Sequence, residues 1–289
     1  MEKEKTIETY IRRLELIGLS KSSIYNRKRL LSRFVDFLGD KDFKETTEAD
    51  ILDFLAYLEG KERFKKGTRA IYISRLKGFF DWLVKQGKIN NNPTEDLAKA
   101  IRRTADDKRE IPELSLNDIR RLVLAAGSPR NKAMLLLLFK SGLRARELIS
   151  LNRSDIDWKT GKVIVRRRKG GKSGFVFIDD ETMRVLRFYL SLRIDNEEPL
   201  FATNGGNRLS YEALWLTVKT IGKKIGIKDL RPHDFRHLFT TFLQRNRCHP
   251  EVIRILRGDS NGNMSSYYTH FTEDEVRAEY LRAIPKLYV

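Results

Sequence analysis

Cysteine is nearly absent from this sequence, which has only Cys248 in 289 residues. A single cysteine cannot form a disulfide within the chain, and no group of Cys and His residues has the spacing of a zinc site. Apolar runs are short, and none approaches the roughly 18 residues of a membrane span. Residues 2–5 are charged with no apolar segment behind them, so we expect no signal peptide. These absences predict an intracellular protein that needs no metal or other cofactor and has no membrane partner.

Acidic residues are outnumbered by basic ones. The chain has 39 Asp and Glu against 57 Lys and Arg, which gives a formal net charge of +18. Such an excess is the electrostatic mark of a polyanionic partner. A basic surface with no nucleic-acid partner stays open as the alternative. The length allows one large or two ordinary domains, and 40% hydrophobic residues indicate a globular protein.

The first hundred residues have the apolar periodicity of four helices. We predict them over residues 6–17, 20–38, 47–59 and 68–86, with a glycine after each of the last three. The polar side of the fourth helix is cationic and includes one aromatic residue, which suits contacts to phosphates and to a groove. An ordinary solvated helix face is an equally good interpretation. The candidate DNA-binding residues of this face are Lys65, Lys66, Arg69, Tyr72 and Arg75.

The periodicity breaks after residue 90. Residues 90–93 are typical of a turn, and residues 102–109 are charged without an apolar period, so we predict a linker over residues 98–112. This linker separates a helical binding domain, residues 1–97, from a second domain, residues 113–289. Two domains joined by a charged strap could close around a cylinder such as duplex DNA.

The second domain opens with helices and continues into a hairpin. Residues 133–139 are apolar all round, which predicts a buried helix closed by Gly142, and Arg144 follows directly. Residues 163–165 and 175–178 are β-branched or aromatic runs and predict an antiparallel β-hairpin. Its glycine-rich tip could reach into a groove and carries five cations: Arg166, Arg167, Arg168, Lys169 and Lys172.

A polar pair marks the helix that we predict from residue 232. His233 and Arg236 are three residues apart, so a helix places them on one face, one turn from each other. Apolar residues at helical spacing anchor the opposite face, and Pro232 suits the first turn. Taken alone, the pair is typical of a solvated surface turn, because so short a motif often occurs by chance.

Four motifs along the chain resemble those of the tyrosine recombinases, also called integrases. Residues 141–148 are similar to the first arginine motif, residues 168–172 to the hairpin lysine motif, residues 232–237 to the second arginine box, and residues 267–270 to the tyrosine motif. Each motif is weak alone, but together they follow the family's order and spacing. The resemblance covers essentially the whole chain and is closest to the compact Xer-like and archaeal members.

The resemblance implies a fold that is mainly α. A helical SAM-like core-binding domain would be joined to an α+β DNA breaking-rejoining domain with a small antiparallel hairpin, and the two would form a clamp on double-stranded DNA. The implied activity is site-specific DNA recombination or integration through a covalent 3′-phosphotyrosine, without metal or ATP.

The family's chemistry gives each matching residue a role. Arg144 and Arg236 would clamp the non-bridging oxygens of the reacting phosphate and stay charged throughout. Tyr268 would be the nucleophile, and His233 would assist its phenol, whose ordinary pKa of about 10 makes it a weak nucleophile. Lys169 would protonate the departing 5′ oxygen. Tyr267 is expected to pack, since adjacent side chains on a helix point about 100° apart.

One position departs from the family's pattern. Asp259 lies nine residues before Tyr268, where the family has a His or a Trp that donates a hydrogen bond to the phosphate. An ionised Asp can only accept, and its charge would oppose the role of the arginines. We therefore expect Asp259 to turn away and to pair with Arg257 or Arg254. The alternative is that it is held close to His233 or to an arginine and orients that group.

Two other functions remain open. A type IB topoisomerase uses the same residues but needs no partner protomer, and a weakened integrase could act as a DNA-binding protein. Strand exchange implies a homotetramer in the synaptic complex, located with the nucleoid in the cytoplasm. The apolar C-terminal tail, with Ile284, Leu287 and Tyr288, could dock on a neighbouring protomer, and packing on its own chain is the equal alternative.

Overall fold

The computed structural model of the chain describes residues 2–62, 66–104, 111–166, 168, 173–203, 205–259 and 271–289. Its internal contacts separate two compact units, Met1–Glu110 and Ile111–Val289. Among the helices in these ranges, none combines the length and the apolar character needed to cross a membrane.

The N-terminal unit is a bundle of helices. The four predicted helices are confirmed, and a fifth follows them. The elements are α1 (Glu2–Leu16), α2 (Lys21–Leu38), a 3-10 turn (Phe43–Glu45), α3 (Glu48–Glu62), α4 (Lys66–Lys85) and α5 (Glu95–Thr104). Ser20 caps α2 by accepting from the Ser23 amide, as expected of a serine at this position.

Aromatic residues fill the centre of the N-terminal unit. Phe34, Phe54, Phe79 and Phe80 have no exposed surface. The Phe34 and Phe54 rings meet edge to face with centroids 4.9 Å apart, and Phe34 meets Phe80 in the same way at 5.9 Å. This geometry is the favoured one for aromatic pairs, so the periodic phenylalanines of three helices form a single core.

Helix α5 corrects part of the predicted linker. Residues 98–104 are helical, whereas residues 105–110 lie outside the described part of the chain. Leu97 and Ala98 pack against the core of the N-terminal unit. Glu95 and Asp96 lie in the first turn of α5, where negative charge stabilises a helix. The many charges after residue 101 hid this short amphipathic pattern.

The C-terminal unit is mainly helical, and its described residues include a two-stranded sheet. The elements are α6 (Leu116–Leu124), α7 (Pro129–Ser141), α8 (Ala145–Ser150), β1 (Lys162–Val165), β2 (Gly174–Phe177), α9 (Asp180–Ser191), α10 (Tyr211–Lys224), α11 (Pro232–Arg245), α12 (Pro250–Arg257) and α13 (Glu273–Ala283). Strands β1 and β2 are antiparallel, with Val163 opposite Val176. The predicted hairpin and the mainly α fold are confirmed.

Helix α7 is the centre of the C-terminal unit. Every residue from Ala133 to Phe139 has no exposed surface, and the helix packs against α9 and α11. It ends at Gly142, which has a left-handed φ of 62° and turns the chain toward α8. The buried helix predicted from the apolar run is therefore confirmed.

The C-terminal tail packs on its own unit. Of the three residues expected to dock, Ile284 and Leu287 are buried and Tyr288 is exposed. The amides of Leu287 and Val289 donate to the two carboxylate oxygens of Glu181 at 3.0 and 2.9 Å. Ile284 and Leu287 therefore belong to the core of the single chain, as the alternative of packing on the same chain predicts.

A buried lysine explains why the tail is held. The Nζ of Lys140, which has no exposed surface, donates to Asp179 at 2.6 Å, to Glu181 at 2.8 Å and to the Pro285 carbonyl at 2.6 Å. Burial alone would raise the pKa of Glu181, but its bonds from Lys140 and from the tail amides lower that pKa below the ordinary 4.5. The tail thus completes a buried ion cluster.

We predict that Glu181→Gln lowers the free energy of unfolding by about 2–3 kcal/mol, because hydrogen bonds to a buried charge are lost. The lowered pKa of Glu181 means that its contribution is complete above pH 4.5 and is lost as pH falls through the folded pKa. Urea unfolding of both proteins at several pH values measures the difference. The exposed Glu212→Gln is the control, and a wild-type unfolding curve for Glu181→Gln would contradict the prediction.

Candidate active site

Helix α11 places Arg236 inside the C-terminal unit. The helix begins at Pro232, and Asp234 accepts from the Arg231 amide at 2.8 Å, which fixes its first turn. Arg236 is 3% exposed, and its guanidinium donates to the carbonyls of Gly142 at 2.8 Å and Arg257 at 2.7 Å. Burial lowers the pKa of Arg236 to about 10, so the group is still protonated at neutral pH.

Arg144 begins α8 and is held by Glu147. One Glu147 oxygen accepts from the Arg144 amide and the other from its Nη1, both at 2.8 Å. Glu147 is buried, at 4% exposure, while Arg144 stays partly open to solvent. Our sequence interpretation gave no role to Glu147. Its signal was available, since an acid three residues into a helix start is typical of a capping box.

The carboxylate of Asp259 joins the two arginines. Its Oδ1 accepts from Nη2 of Arg236 at 2.6 Å and from Nη2 of Arg144 at 2.9 Å. Its Oδ2 lies 2.7 Å from Nε of Arg257. The predicted pairing with Arg257 is therefore confirmed, but the expectation that Asp259 turns away is wrong. Three guanidiniums surround the turn after α12, so the acceptor is drawn into the site.

His233 lies one turn before Arg236 at the start of α11. The residue is exposed on the helix surface, and its ring meets that of His237 edge to face with centroids 4.8 Å apart. The surrounding protein still excludes part of the water from the ring, and this desolvation, followed by the charges of His237 and Arg236, lowers the pKa of His233 below 6.5. A neutral imidazole at pH 7 can accept a proton, as a general base must.

The hairpin cations occupy different surroundings. Arg166 is exposed, and its Nε pairs with the buried Asp155 at 2.5 Å. Arg168 is 8% exposed and donates to the Phe175 carbonyl at 2.7 Å. The expectation that Arg168 is free at the tip is therefore wrong, because its guanidinium is used inside the protein. The other predicted site residues of this unit, Arg167, Lys169, Lys172 and Tyr268, lie outside the described residues.

The predicted cationic face of α4 is partly paired. Arg69 forms an ion pair with Glu59 of α3, and the Tyr72 hydroxyl donates to Glu62 at 3.4 Å. Arg75 is half-buried, and burial lowers its pKa. Lys65 and the side chain of Lys66 lie outside the described part of the chain. The DNA-binding role of this face stays a prediction.

Comparisons with known proteins identify the family of the chain. Residues 112–275 match the model of the phage integrase family, and residues 6–88 match that of the phage integrase N-terminal SAM-like domain. The tyrosine recombinase XerA of Saccharolobus solfataricus is 30% identical over 95% of this chain and 91% of its own length. The tyrosine recombinase XerD of Oceanobacillus iheyensis is 30% identical over 93% and 94%.

Solved structures share the fold. The Tn1549 transposon integrase, in complex with circular intermediate DNA, superposes with a TM-score of 0.71 at 20% identity over 95% of this chain and 98% of that one. A lambda integrase dimer bound to a core site gives 0.70 at 18% identity over 90% and 96%. At these identities the likeness supports the architecture alone.

The chain therefore belongs to the phage integrase family. Within it, the chain is a Xer-like tyrosine recombinase, an enzyme of site-specific DNA recombination. The family expected from the four motifs is confirmed. The relatives favour recombination over a topoisomerase or a protein that only binds DNA.

The carbonyl of Gly142 accepts a hydrogen bond from Arg236, and the turn at Gly142 leaves little room for a side chain. Its φ is 62°, and an added Cβ would lie 2.4 Å from Cδ1 of Phe239. We expect Gly142→Ala to destabilise the protein and to displace the carbonyl that binds Arg236, with loss of DNA cleavage. Gly226→Ala is the matched control, since Gly226 has a φ of 86° and no described atom lies within 4 Å of the place that its Cβ would take.

The control isolates the clash, because both variants force alanine into a left-handed conformation at a cost of about 1–2 kcal/mol. Urea unfolding should show that Gly142→Ala costs clearly more than Gly226→Ala. An equal decrease in the free energy of unfolding of the two variants would mean that a side chain at residue 142 is tolerated beside Phe239 and Arg236.

Proposed function

We propose that the protein cleaves and rejoins DNA by transferring a strand phosphate to Tyr268, with Arg144 and Arg236 as the clamp on that phosphate. The observation that carries the proposal is the convergence of both guanidiniums on one carboxylate oxygen of Asp259, at 2.9 and 2.6 Å. Two donors that meet at one anionic oxygen form the arrangement that a non-bridging phosphate oxygen requires.

The proposed reaction has two balanced steps. The Tyr268 phenol attacks phosphorus, the bond to the 5′ oxygen breaks, and a 3′-phosphotyrosine forms. His233 takes the phenol proton, and Lys169 gives a proton to the departing 5′ oxygen. A 5′ hydroxyl of another strand then attacks the phosphotyrosine and gives its proton to Lys169, while the protonated His233 returns a proton to the departing phenolate, so that the phosphodiester is restored and Tyr268 is freed. Arg144 and Arg236 stabilise the extra negative charge in both transfers.

The test is covalent trapping on DNA. The protein is incubated with duplexes in which the short 5′ fragment released by cleavage diffuses away, so that the strand cannot be rejoined. The DNA that stays attached to the protein is sequenced to identify the site. We expect mass spectrometry to map the adduct to Tyr268, and Tyr268→Phe to trap nothing. An adduct on Tyr267 would contradict the assignment of the nucleophile.

Arg144→Ala and Arg236→Ala should each slow cleavage of that duplex by about 10²–10³-fold, by analogy with the loss of an oxyanion-hole donor. Duplex affinity should change little, since phosphate contacts spread over the basic surface supply most of it. Single-turnover cleavage and binding are measured at one fixed salt concentration. Parallel loss of binding and cleavage would mean that the arginines serve the fold alone.

Asp259 has a specific place in this proposal. Its carboxylate occupies the position between the arginines that the phosphate would need, and two anions cannot share that position without repulsion. We therefore propose that the DNA phosphate displaces the Asp259 carboxylate. Arg257, which lies 2.7 Å from Oδ2, would keep a charged partner for the displaced side chain.

Asp259→Asn removes the competing charge and keeps the shape of the side chain. We expect single-turnover cleavage to become several-fold faster, because the phosphate no longer competes with an internal anion for Arg144 and Arg236. Asp259→Glu, which keeps the charge, is the control. Slower cleavage in the Asn variant would show instead that Asp259 orients the arginines in the reacting complex.

The wider assembly is part of the same proposal. A net charge of +18 supports contacts of both units with one DNA duplex, as a two-domain clamp. On the N-terminal side, the contacts would come from Arg69, Tyr72 and Arg75.

We propose a homotetramer for strand exchange at the nucleoid in the cytoplasm. Of the three predicted docking residues in the tail, Tyr288, at 76% exposure, is available to a neighbouring protomer.

A further inference from the structure

Arg168 joins the hairpin to helix α12. It follows β1 in the chain, and its Nη2 donates to the carbonyl of Phe175 in β2 at 2.7 Å. The same guanidinium reaches α12, where Nη1 donates to the Ile255 carbonyl at 3.3 Å and Nη2 to the Leu256 carbonyl at 3.2 Å. One side chain therefore ties both sides of the hairpin to the end of a helix that lies 88 residues further along the chain.

The end of α12 is a favourable place for a buried cation. The last carbonyls of a helix have no partners within it and carry partial negative charge. Arg168 binds the carbonyls of residues 255 and 256, and Arg236 binds the next one, that of Arg257, at 2.7 Å. Three successive carbonyls are thus held by two buried guanidiniums, one from the hairpin and one from α11.

Two glycines leave space for the Arg168 side chain. A Cβ on Gly258 would lie 2.0 Å from Nη1 of Arg168, and one on Gly174 would lie 2.8 Å from its Nε. Gly258 also has a left-handed φ of 61°, which directs the chain into Asp259. The guanidinium therefore rests against main chain, and its position and that of the turn at Gly258 depend on each other.

We propose that Arg168 is a positioning residue for DNA cleavage, which fixes the end of α12 against the hairpin and so sets where Arg236 and Asp259 lie. This inference rests on the proposed function of the arginine site. Arg168 itself is buried among carbonyls and acts through the turn it holds. Its role is distinct from the groove contact that its charge suggested.

The test compares Arg168→Met with Arg193→Met. Arg193 is another arginine of this unit whose side chain is only 6% exposed. It donates to the carbonyls of Pro199 and Leu200 at 2.6 and 3.1 Å and forms an ion pair with Asp195. These acceptors belong to the segment that follows α9 and are separate from the residues of the proposed site. Both variants lose a buried guanidinium, so a general loss of stability should affect them alike.

We expect Arg168→Met to reduce single-turnover cleavage at saturating DNA by about 10–100-fold, as is typical when a partner that orients a reacting group is removed. Affinity for the trapped duplex should stay within about twofold of wild type, and Arg193→Met should cleave at the wild-type rate below its melting temperature.

If the Arg168→Met variant does not fold, Arg168→Lys is used to test the inference. A lysine retains the charge but cannot bond three carbonyls in a fixed fork, so its cleavage rate should fall between those of wild type and the Met variant. A wild-type rate in either Arg168 variant would overturn the inference.

Hydrogen exchange separates this inference from the proposed function. Amide exchange of residues 251–259 requires no cleavage, and it should be faster in the Arg168 variants than in wild type and in Arg193→Met. Unchanged exchange would overturn the positioning role even in an active enzyme. If the wild type traps no DNA, the proposed function fails, while the exchange experiment still decides whether Arg168 holds the turn.

Discussion

The burial of the Arg236 guanidinium is the constraint on which the C-terminal unit depends. A charged group removed from water costs several kcal/mol unless it is paired and hydrogen-bonded. Its partners come from three places: the corner after α7, the end of α12 and Asp259. Helices α7, α11 and α12 must therefore meet in one arrangement, since any other leaves a buried cation without acceptors.

The charges around this group nearly balance. Among the described residues that ion pairs join here, Arg144, Arg236 and Arg257 contribute three positive charges, and Glu147 and Asp259 contribute two negative ones. One positive charge of this set is left over. Such a cluster is stable without DNA, because each carboxylate has a cation, and it still attracts one further anion.

Much of this fold could be predicted because its signals are local. The apolar run of α7, the glycine that closes it and the three-residue spacing of His233 and Arg236 each act within a few turns of chain. The periodic phenylalanines of α2, α3 and α4 also predicted which faces form the N-terminal core. Arg144 and Arg236 were placed by motifs, and the structure brings these two residues to a single carboxylate.

The features that could not be predicted depend on contacts between distant segments. Nothing near Arg168 in the sequence shows that the end of α12 will lie against the hairpin, so its charge alone suggested an exposed groove contact. For Asp259, the local sequence shows a carboxylate whose charge opposes the arginines, but the number of guanidiniums that surround one turn is a property of the assembled unit. Likewise, the apolar pattern of the tail indicates that Ile284 and Leu287 are buried against something. It does not indicate that Lys140 and Glu181 bind the main chain of the tail.

The acceptors that bind Arg236 determine which amino-acid substitutions this protein can tolerate. Two of its three described acceptors are main-chain carbonyls, those of Gly142 and Arg257, and these are present whatever side chains surround them. Substitutions on the surrounding surface can therefore accumulate without removing those acceptors, provided that Gly142 keeps its left-handed turn. The anchoring of this buried charge is thus separable from the side chains of the surrounding surface, which can change while Arg236 keeps its position.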